Sequence, residues 1–300
     1  MEVITENELA NFEQMPPPKV TRSNFVYSFN LLPKEERKAI QSLYAFCNYI
    51  DDIADSTPTF TDIEKQHKLQ RLAWWENVIE NIYNGGFDHS ILNPFIWAIK
   101  RFEIPKQYFL ILIDGIRRDV LKNRYSTFEE LKDYCFGVAG IVGLISIEIF
   151  GYKHEETKSY AINLGYALQL TNIIRDIKAD KDRGYIYIPQ EDLNRFGYSE
   201  EDLINEVYND KFIDLMRFQV RRAREFYHNA RKLLPPDERI TIVSAEIMDE
   251  IYYRLLEKIE LNDFNVFKKK IKVSVVHKFL IALKHWVSIT MFVKRIKKQP

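Results

Sequence analysis

Glycine is scarce in this chain. Ten glycines in 300 residues is about half the usual share, which argues against a turn-rich β architecture. Cysteine is nearly absent too. Cys47 and Cys135 both sit in apolar, helix-like segments, too few for a disulfide framework, so a reduced, cytoplasmic protein is expected. The opening M-E-V-I-T-E-N-E-L-A is acidic and lacks an apolar h-region, so no signal peptide is expected. No uncharged apolar run reaches the roughly 18 residues of a membrane span, so no transmembrane helix is expected. Net charge is lacking as well: 43 Lys and Arg balance 43 Asp and Glu, which leaves no overall electrostatic case for nucleic acid.

What is present is a core. Hydrophobic residues make up 46% of the chain, enough for a sizeable buried interior. The three prolines 16–18 predict an extended lead-in over residues 1–20. Beyond it the apolar pattern is helical almost throughout, with Pro33 suited to a first turn ahead of Glu35 and Glu36. Breaks at Asn84-Gly85-Gly86, Asn93-Pro94, Ile104-Pro105 and Pro235-Pro236 separate the helices. Those helices are predicted near 38–55, 62–83, 95–102, 106–121, 127–149, 155–181, 200–233 and 239–260. Y-I-Y-I at 185–188 is the best strand candidate and is short. No linker or repeat divides the chain, so one all-α domain over 21–290 is expected, with a basic tail at 291–300. From Phe264 onward there are ten Lys and Arg and no Asp or Glu. That segment reads either as a solvated tail or, given its apolar stripe and Trp286, as a peripheral membrane contact.

Two segments carry the chemistry. In Y-A-F-C-N-Y-I-D-D-I-A-D at 44–55, residues four apart share a helix face. Tyr44, Asn48, Asp51 and Asp55 therefore point one way, with Asp52 about a quarter turn aside. In L-Q-L-T-N-I-I-R-D-I-K-A-D at 168–180, Gln169, Asn172, Asp176 and Asp180 form one polar stripe on an otherwise apolar helix. Carboxylates about 4 Å apart repel by roughly 4 kcal/mol at an effective dielectric near 20. A cation between the helices is thus expected, and oxygen ligands suit Mg²⁺ or Mn²⁺. Mg²⁺ favours substrate phosphates as further ligands, with Arg37 and Arg175 as added positive charge. Phe25, Tyr27, Phe29, Tyr44, Phe46, Tyr134 and Phe136 read either as core or as the lining for a long hydrocarbon.

These residues resemble the squalene/phytoene synthases, the head-to-head branch of the trans-isoprenyl diphosphate synthases. The resemblance rests on S-N-F-V-Y-S-F-N-L-L-P at 23–33, the two aspartate motifs, Y-C-F-G-V-A-G-I-V-G at 134–143, and R-G-Y-I-Y-I-P after Asp182. It implies a single-domain isoprenoid-synthase bundle with a central apolar cavity. It also implies a prenyltransferase that joins two prenyl diphosphates through a cyclopropyl diphosphate. Asp51, Asp55, Asp176 and Asp180 would hold Mg²⁺. Asp52, Gln169, Asn172 and Arg175 match the family's metal, diphosphate and polar-stripe positions. Tyr44, Tyr134, Tyr187 and Tyr252 match its cavity tyrosines, and Asp119 a further acidic position. The chain departs from the family at Asn48 and Tyr185, where arginine is usual, and at Ala179, where an acid is usual. Two positive charges are then expected to be missing from the diphosphate lining. The expected reaction therefore starts from two farnesyl diphosphates and stops at presqualene diphosphate or a C30 product, with phytoene synthesis from geranylgeranyl diphosphate as the alternative. No glycine-rich dinucleotide fingerprint is visible, which disfavours NADPH.

Two other readings compete. A di-iron bundle needs paired Glu-x-x-His motifs, and Glu64–His67 and Glu225–His228 supply two, both amid Lys or Arg that mark solvated faces. A relative that lost catalysis and serves as an assembly factor should have eroded aspartates, and all four metal candidates are intact.

Overall fold

A computed structural model describes residues 28–55, 61–86 and 92–296, apart from the side chains of Asp55, Ile289 and residues 291–296. Phe25 and Tyr27 lie outside these residues, as does the side chain of Asp55. In chain order the helices are α1 (Lys34–Asp55), α2 (Asp62–Tyr83), α3 (Asn93–Arg101), α4 (Lys106–Leu121), α5 (Phe128–Cys135) and α6 (Ile141–Phe150). They continue as α7 (Glu156–Asp182), α8 (Gln190–Arg195), α9 (Glu200–Ile204), α10 (Asp210–Leu233), α11 (Val243–Glu260) and α12 (Val275–Ile296). No strand forms among the described residues. Ile186 makes one isolated bridge to Arg124, which is all that remains of the strand candidate.

The expected helix over 200–233 is two helices. Glu206 takes a left-handed φ of 54°, and the Asn209 side chain accepts from the Phe212 N–H at 3.0 Å, starting α10 afresh. Helix α11 starts later than its sequence pattern, because Pro236–Glu238 forms a tight turn whose glutamate faces inward. Helix α12 continues past residue 290 without a break.

Helix α7 is the axis of the bundle, packed against α5, α6, α10 and α11. Close backbone approach makes this possible. A Cβ on Gly165 would stand 2.7 Å from the Ala139 carbonyl oxygen, so α7 could not come so near the turn that precedes α6 with any larger residue there. Between α5 and α6 the chain makes one wide turn, Phe136–Gly140, closed by the Ile141 N–H on the Phe136 carbonyl. The run Phe128–Phe150 is long and apolar enough to cross a membrane, yet more than half of its most apolar window is buried inside the protein. Apolarity here serves the core.

Helix α1 packs on α2, α3, α4 and α6. Phe46 belongs to that packing: its ring stacks on Phe95 at 4.5 Å and meets Trp75 edge-on at 5.3 Å. The end of α1 is held by Lys68 of α2. Expected on a solvated face, Lys68 is 2% exposed and donates to the Ala54 carbonyl at 2.5 Å. A buried ammonium suits that position because α1 has no basic residue in its own last turn.

Candidate active site

A cavity of about 420 Å³ opens between α1, α4, α6, α7 and α11. Its lining takes Tyr44, Cys47, Asn48 and Asp51 from α1, the residues one helical turn apart. From α7 it takes Gln169, Asn172, Arg175, Asp176 and Asp180, so the two aspartate motifs share one space. Phe29, Asp119, Tyr134, Tyr187 and Tyr252 complete the candidates that line it. The rest of the wall is apolar: Leu112, Ile116, Val142, Leu164 and Met248 among others.

Four candidates stand elsewhere, among them Phe46, which packs between α1, α2 and α3. Arg37 donates to the Leu32 carbonyl at 2.8 Å and stays outside the lining, because it closes the turn before α1. Asp52 is exposed, a quarter turn from the cavity face, as its position in the helix requires. Phe136 packs beside the core on the far side of the wide turn, away from the cavity.

The electrostatics of the polar end differ from the expectation of bare aspartates. Asp176 accepts from Arg175 Nε at 2.9 Å and pairs with Lys270 Nζ at 2.8 Å. Burial by itself would raise the Asp176 carboxyl, but the Arg175 and Lys270 hydrogen bonds outweigh it and hold the group below its ordinary range. Asp180, nearly buried, accepts from Arg183 at 2.9 Å. Protein cations thus neutralise the two α7 carboxylates, and repulsion between them does not by itself demand a metal. Lys270 and Arg183 were missed as site residues. Arg183 had a signal, three residues after Asp180 on the same helix end. Lys270 had none, since its place depends on how the chain after α11 folds back.

The donor set still fits a hard divalent ion. Every candidate ligand offers oxygen, and Asn172 Oδ1 is buried in the cavity with no hydrogen-bond partner among the described residues. No three carboxylates, histidines or cysteines already converge among those residues. The di-iron alternative finds no such support. Glu64 caps α2 through Thr61, while His67, Glu225 and His228 are exposed.

Deeper in, Tyr187 donates to Asp119 Oδ1 at 2.7 Å and stacks on Tyr134 at 5.3 Å. Tyr185, standing where arginine is usual, stacks on Tyr187 at 5.9 Å from outside the cavity lining. Burial, then the Asp119 charge, pushes both the Tyr134 and Tyr187 phenols well above their ordinary value, so they stay neutral. Such a site can bind diphosphate at one end and shelter a carbocation from water at the other.

Comparison with known proteins agrees with this geometry. The squalene/phytoene synthase pattern matches residues 19–277. The phytoene synthase of Arthrospira platensis is 35% identical over 262 residues, covering 82% of each chain. The 15-cis-phytoene synthase of Synechococcus elongatus is 36% identical over 255 residues, covering 80% of each. The squalene synthase of Alicyclobacillus acidocaldarius superposes with a TM-score of 0.72 at 26% identity, over 82% of this chain and 91% of that one. A matched pattern over most of the chain, on the same all-α architecture, identifies the protein as a member of the squalene/phytoene synthase family, prenyltransferases that condense two prenyl diphosphates head to head.

Proposed function

We propose that this enzyme condenses two geranylgeranyl diphosphates to phytoene. The observation that carries the reaction class is one cavity with both aspartate motifs at its polar end and apolar and tyrosine walls beyond. The C20 substrate is supported by the relatives, at 35% and 36% identity, that are named phytoene synthases. This reverses the order expected from sequence, which put farnesyl diphosphate first. The argument for stopping early also weakens. It assumed a positive lining depleted at 48 and 185, yet Arg175, Arg183 and Lys270 all stand at the polar end.

In this reading Asp51, Asp55, Asp176 and Asp180 hold Mg²⁺, with the Asn172 Oδ1 acceptor beside them. When bound, the ion acts as a Lewis acid on the leaving diphosphate. Lys270, half exposed, leaves Asp176 to meet diphosphate oxygens, and Arg175 and Arg183 supply charge-assisted hydrogen bonds. Tyr134 and Tyr187, kept neutral, line the space where the allylic cation would form, while the Tyr187–Asp119 hydrogen bond fixes the Tyr187 ring. The apolar wall excludes water that would trap the cation as an alcohol.

The test is incubation with geranylgeranyl or farnesyl diphosphate and Mg²⁺, with and without NADPH, and mass spectrometry of the hydrocarbon and diphosphate fractions. A C40 hydrocarbon formed without NADPH is expected. Exclusive C30 products, or accumulation of a cyclopropyl diphosphate, would overturn the assignment. The C30 outcome is the second reading, favoured by the structural likeness to a squalene synthase.

A further inference from the structure

Away from the aspartates, the cavity wall carries two hydroxyls. Tyr160, near the start of α7, lines the same space as Asp176 and Asp180 near its end. Sixteen residues separate Tyr160 from Asp176, which at about 1.5 Å each is about 24 Å of helix. Between them the α7 wall presents Ala161, Leu164 and Leu168. Ser244, at the start of α11, lines the cavity as well, with Tyr252 about two turns further along that helix and near Arg175. The phenol of Tyr160 lies within reach of the charges of Glu246 and Asp249, so it faces the same first turns of α11.

Both hydroxyls are unsatisfied. Tyr160 and Ser244 are each 1% exposed, and neither oxygen has a hydrogen-bond partner among the described residues. Polar groups around them are paired. Tyr227 shares a hydrogen bond with Thr171 at 3.0 Å, and Asp249 accepts from Arg231 at 3.0 Å. Ser146, in the same cavity wall, donates to the Val142 carbonyl at 2.7 Å. A buried hydroxyl without a partner is costly unless water can reach it, and the cavity gives these two that access. A hydrocarbon tail that reached them would strip the water and return no hydrogen bond.

We propose that Tyr160 and Ser244 form a polar stop that fixes the longest prenyl chain the cavity accepts. This rests on the reading of the cavity as a prenyl diphosphate site, but not on the C20 assignment. A diphosphate held at Asp176 sends its chain down the α7 wall, and each added isoprene unit brings the tail nearer to Tyr160. An apolar end with room to spare would admit a longer tail freely. A hydroxyl end rejects it, because the stripped groups stay unpaired. At its distance from Asp176 the Tyr160 phenol cannot touch the diphosphate, so its effect is on specificity.

The experiment is a chain-length series with geranyl, farnesyl, geranylgeranyl and geranylfarnesyl diphosphates and Mg²⁺. Wild type is compared with Y160F, S244A, Y160F/S244A and S146A, and calorimetry measures binding of the matching unreactive thiodiphosphates. Wild type is expected to show a limit, where one added isoprene unit lowers kcat/KM by about tenfold or more. The ratio of kcat/KM across that step should rise about tenfold in the double variant, chiefly through KM, and part of the way in each single variant. S146A should not move the ratio, since the Ser146 hydroxyl is satisfied within its own helix. Each change removes one oxygen and keeps the shape, so helical circular dichroism should be retained, and if the double variant misfolds the single variants decide. No limit in wild type, an unchanged ratio in the folded variants, or an equal rise in S146A would each overturn the stop and leave the prenyl diphosphate reading standing. Failure of wild type to bind any of the thiodiphosphates would overturn that reading, and the stop with it.

Discussion

Asp51 and Asp176 line the same cavity but are held differently. Asp51 is exposed, so Asp51→Asn should leave thermal stability and helical circular dichroism unchanged while turnover falls by about two to three decades. Near-normal product formation would remove Asp51 from the site. Asp176→Ala should abolish turnover too, and because it unpairs Arg175 and Lys270 its melting temperature should also move. Glu238 belongs to stability alone. It is 1% exposed and accepts from the His154 N–H at 2.8 Å and from the Thr157 hydroxyl, tying the turn before α11 to the start of α7. Burial opposes its ionisation, but these hydrogen bonds win and hold it below the usual 4.5. A depressed carboxyl stabilises the fold above its unfolded value, so that contribution should fade as pH drops below 4.5. Glu238→Gln should lower stability at neutral pH by about 1–3 kcal/mol and flatten this acid decline, read from melting temperatures between neutral and acid pH.

At the scale of elements, two contacts position the aspartate-bearing helices. Gly165→Ala would drive a Cβ to 2.7 Å from the Ala139 carbonyl and push α7 off the wide turn between α5 and α6. The expected loss is about 1–3 kcal/mol in urea unfolding, with weaker turnover because the stripe from Gln169 to Asp180 shifts with the helix. Unchanged stability would mean that α7 and the turn adapt more easily than their backbones suggest. Lys68→Met should similarly lower stability by about 1–3 kcal/mol, since it leaves the Ala54 carbonyl without its buried donor. Helix length and order were readable from the 3.6-residue apolar period, as α2 and α4 illustrate by matching their predicted limits. The split at Asn209 was not, because a single left-handed residue and one side-chain cap interrupt a pattern that stays periodic on both sides.

For the whole molecule, the chain after α11 does two separable things. Phe264, Val266, Phe267, Ile271 and Val273 are buried, and Lys270 reaches the site, whereas much of α12 faces outward. A chain ended at Ser274 should therefore keep its fold and its turnover on detergent-dispersed substrate. One ended at Asp263 should melt earlier and lose turnover, and parallel melting curves and product assays check both. The sequence by itself determined the helical class, the single domain and the family, and it set Asp51 on one helical face and Asp176 and Asp180 on another. Those follow from periodicity and spacing within one helix, which are local properties. Only the tertiary structure decided that Lys270 neutralises Asp176, that Lys68 is buried, that Phe46 serves the frame, and that one side of α12 is left exposed among the described residues. Each of these depends on which distant segment packs against which, and a helical pattern reports that a face is apolar without saying what lies opposite it.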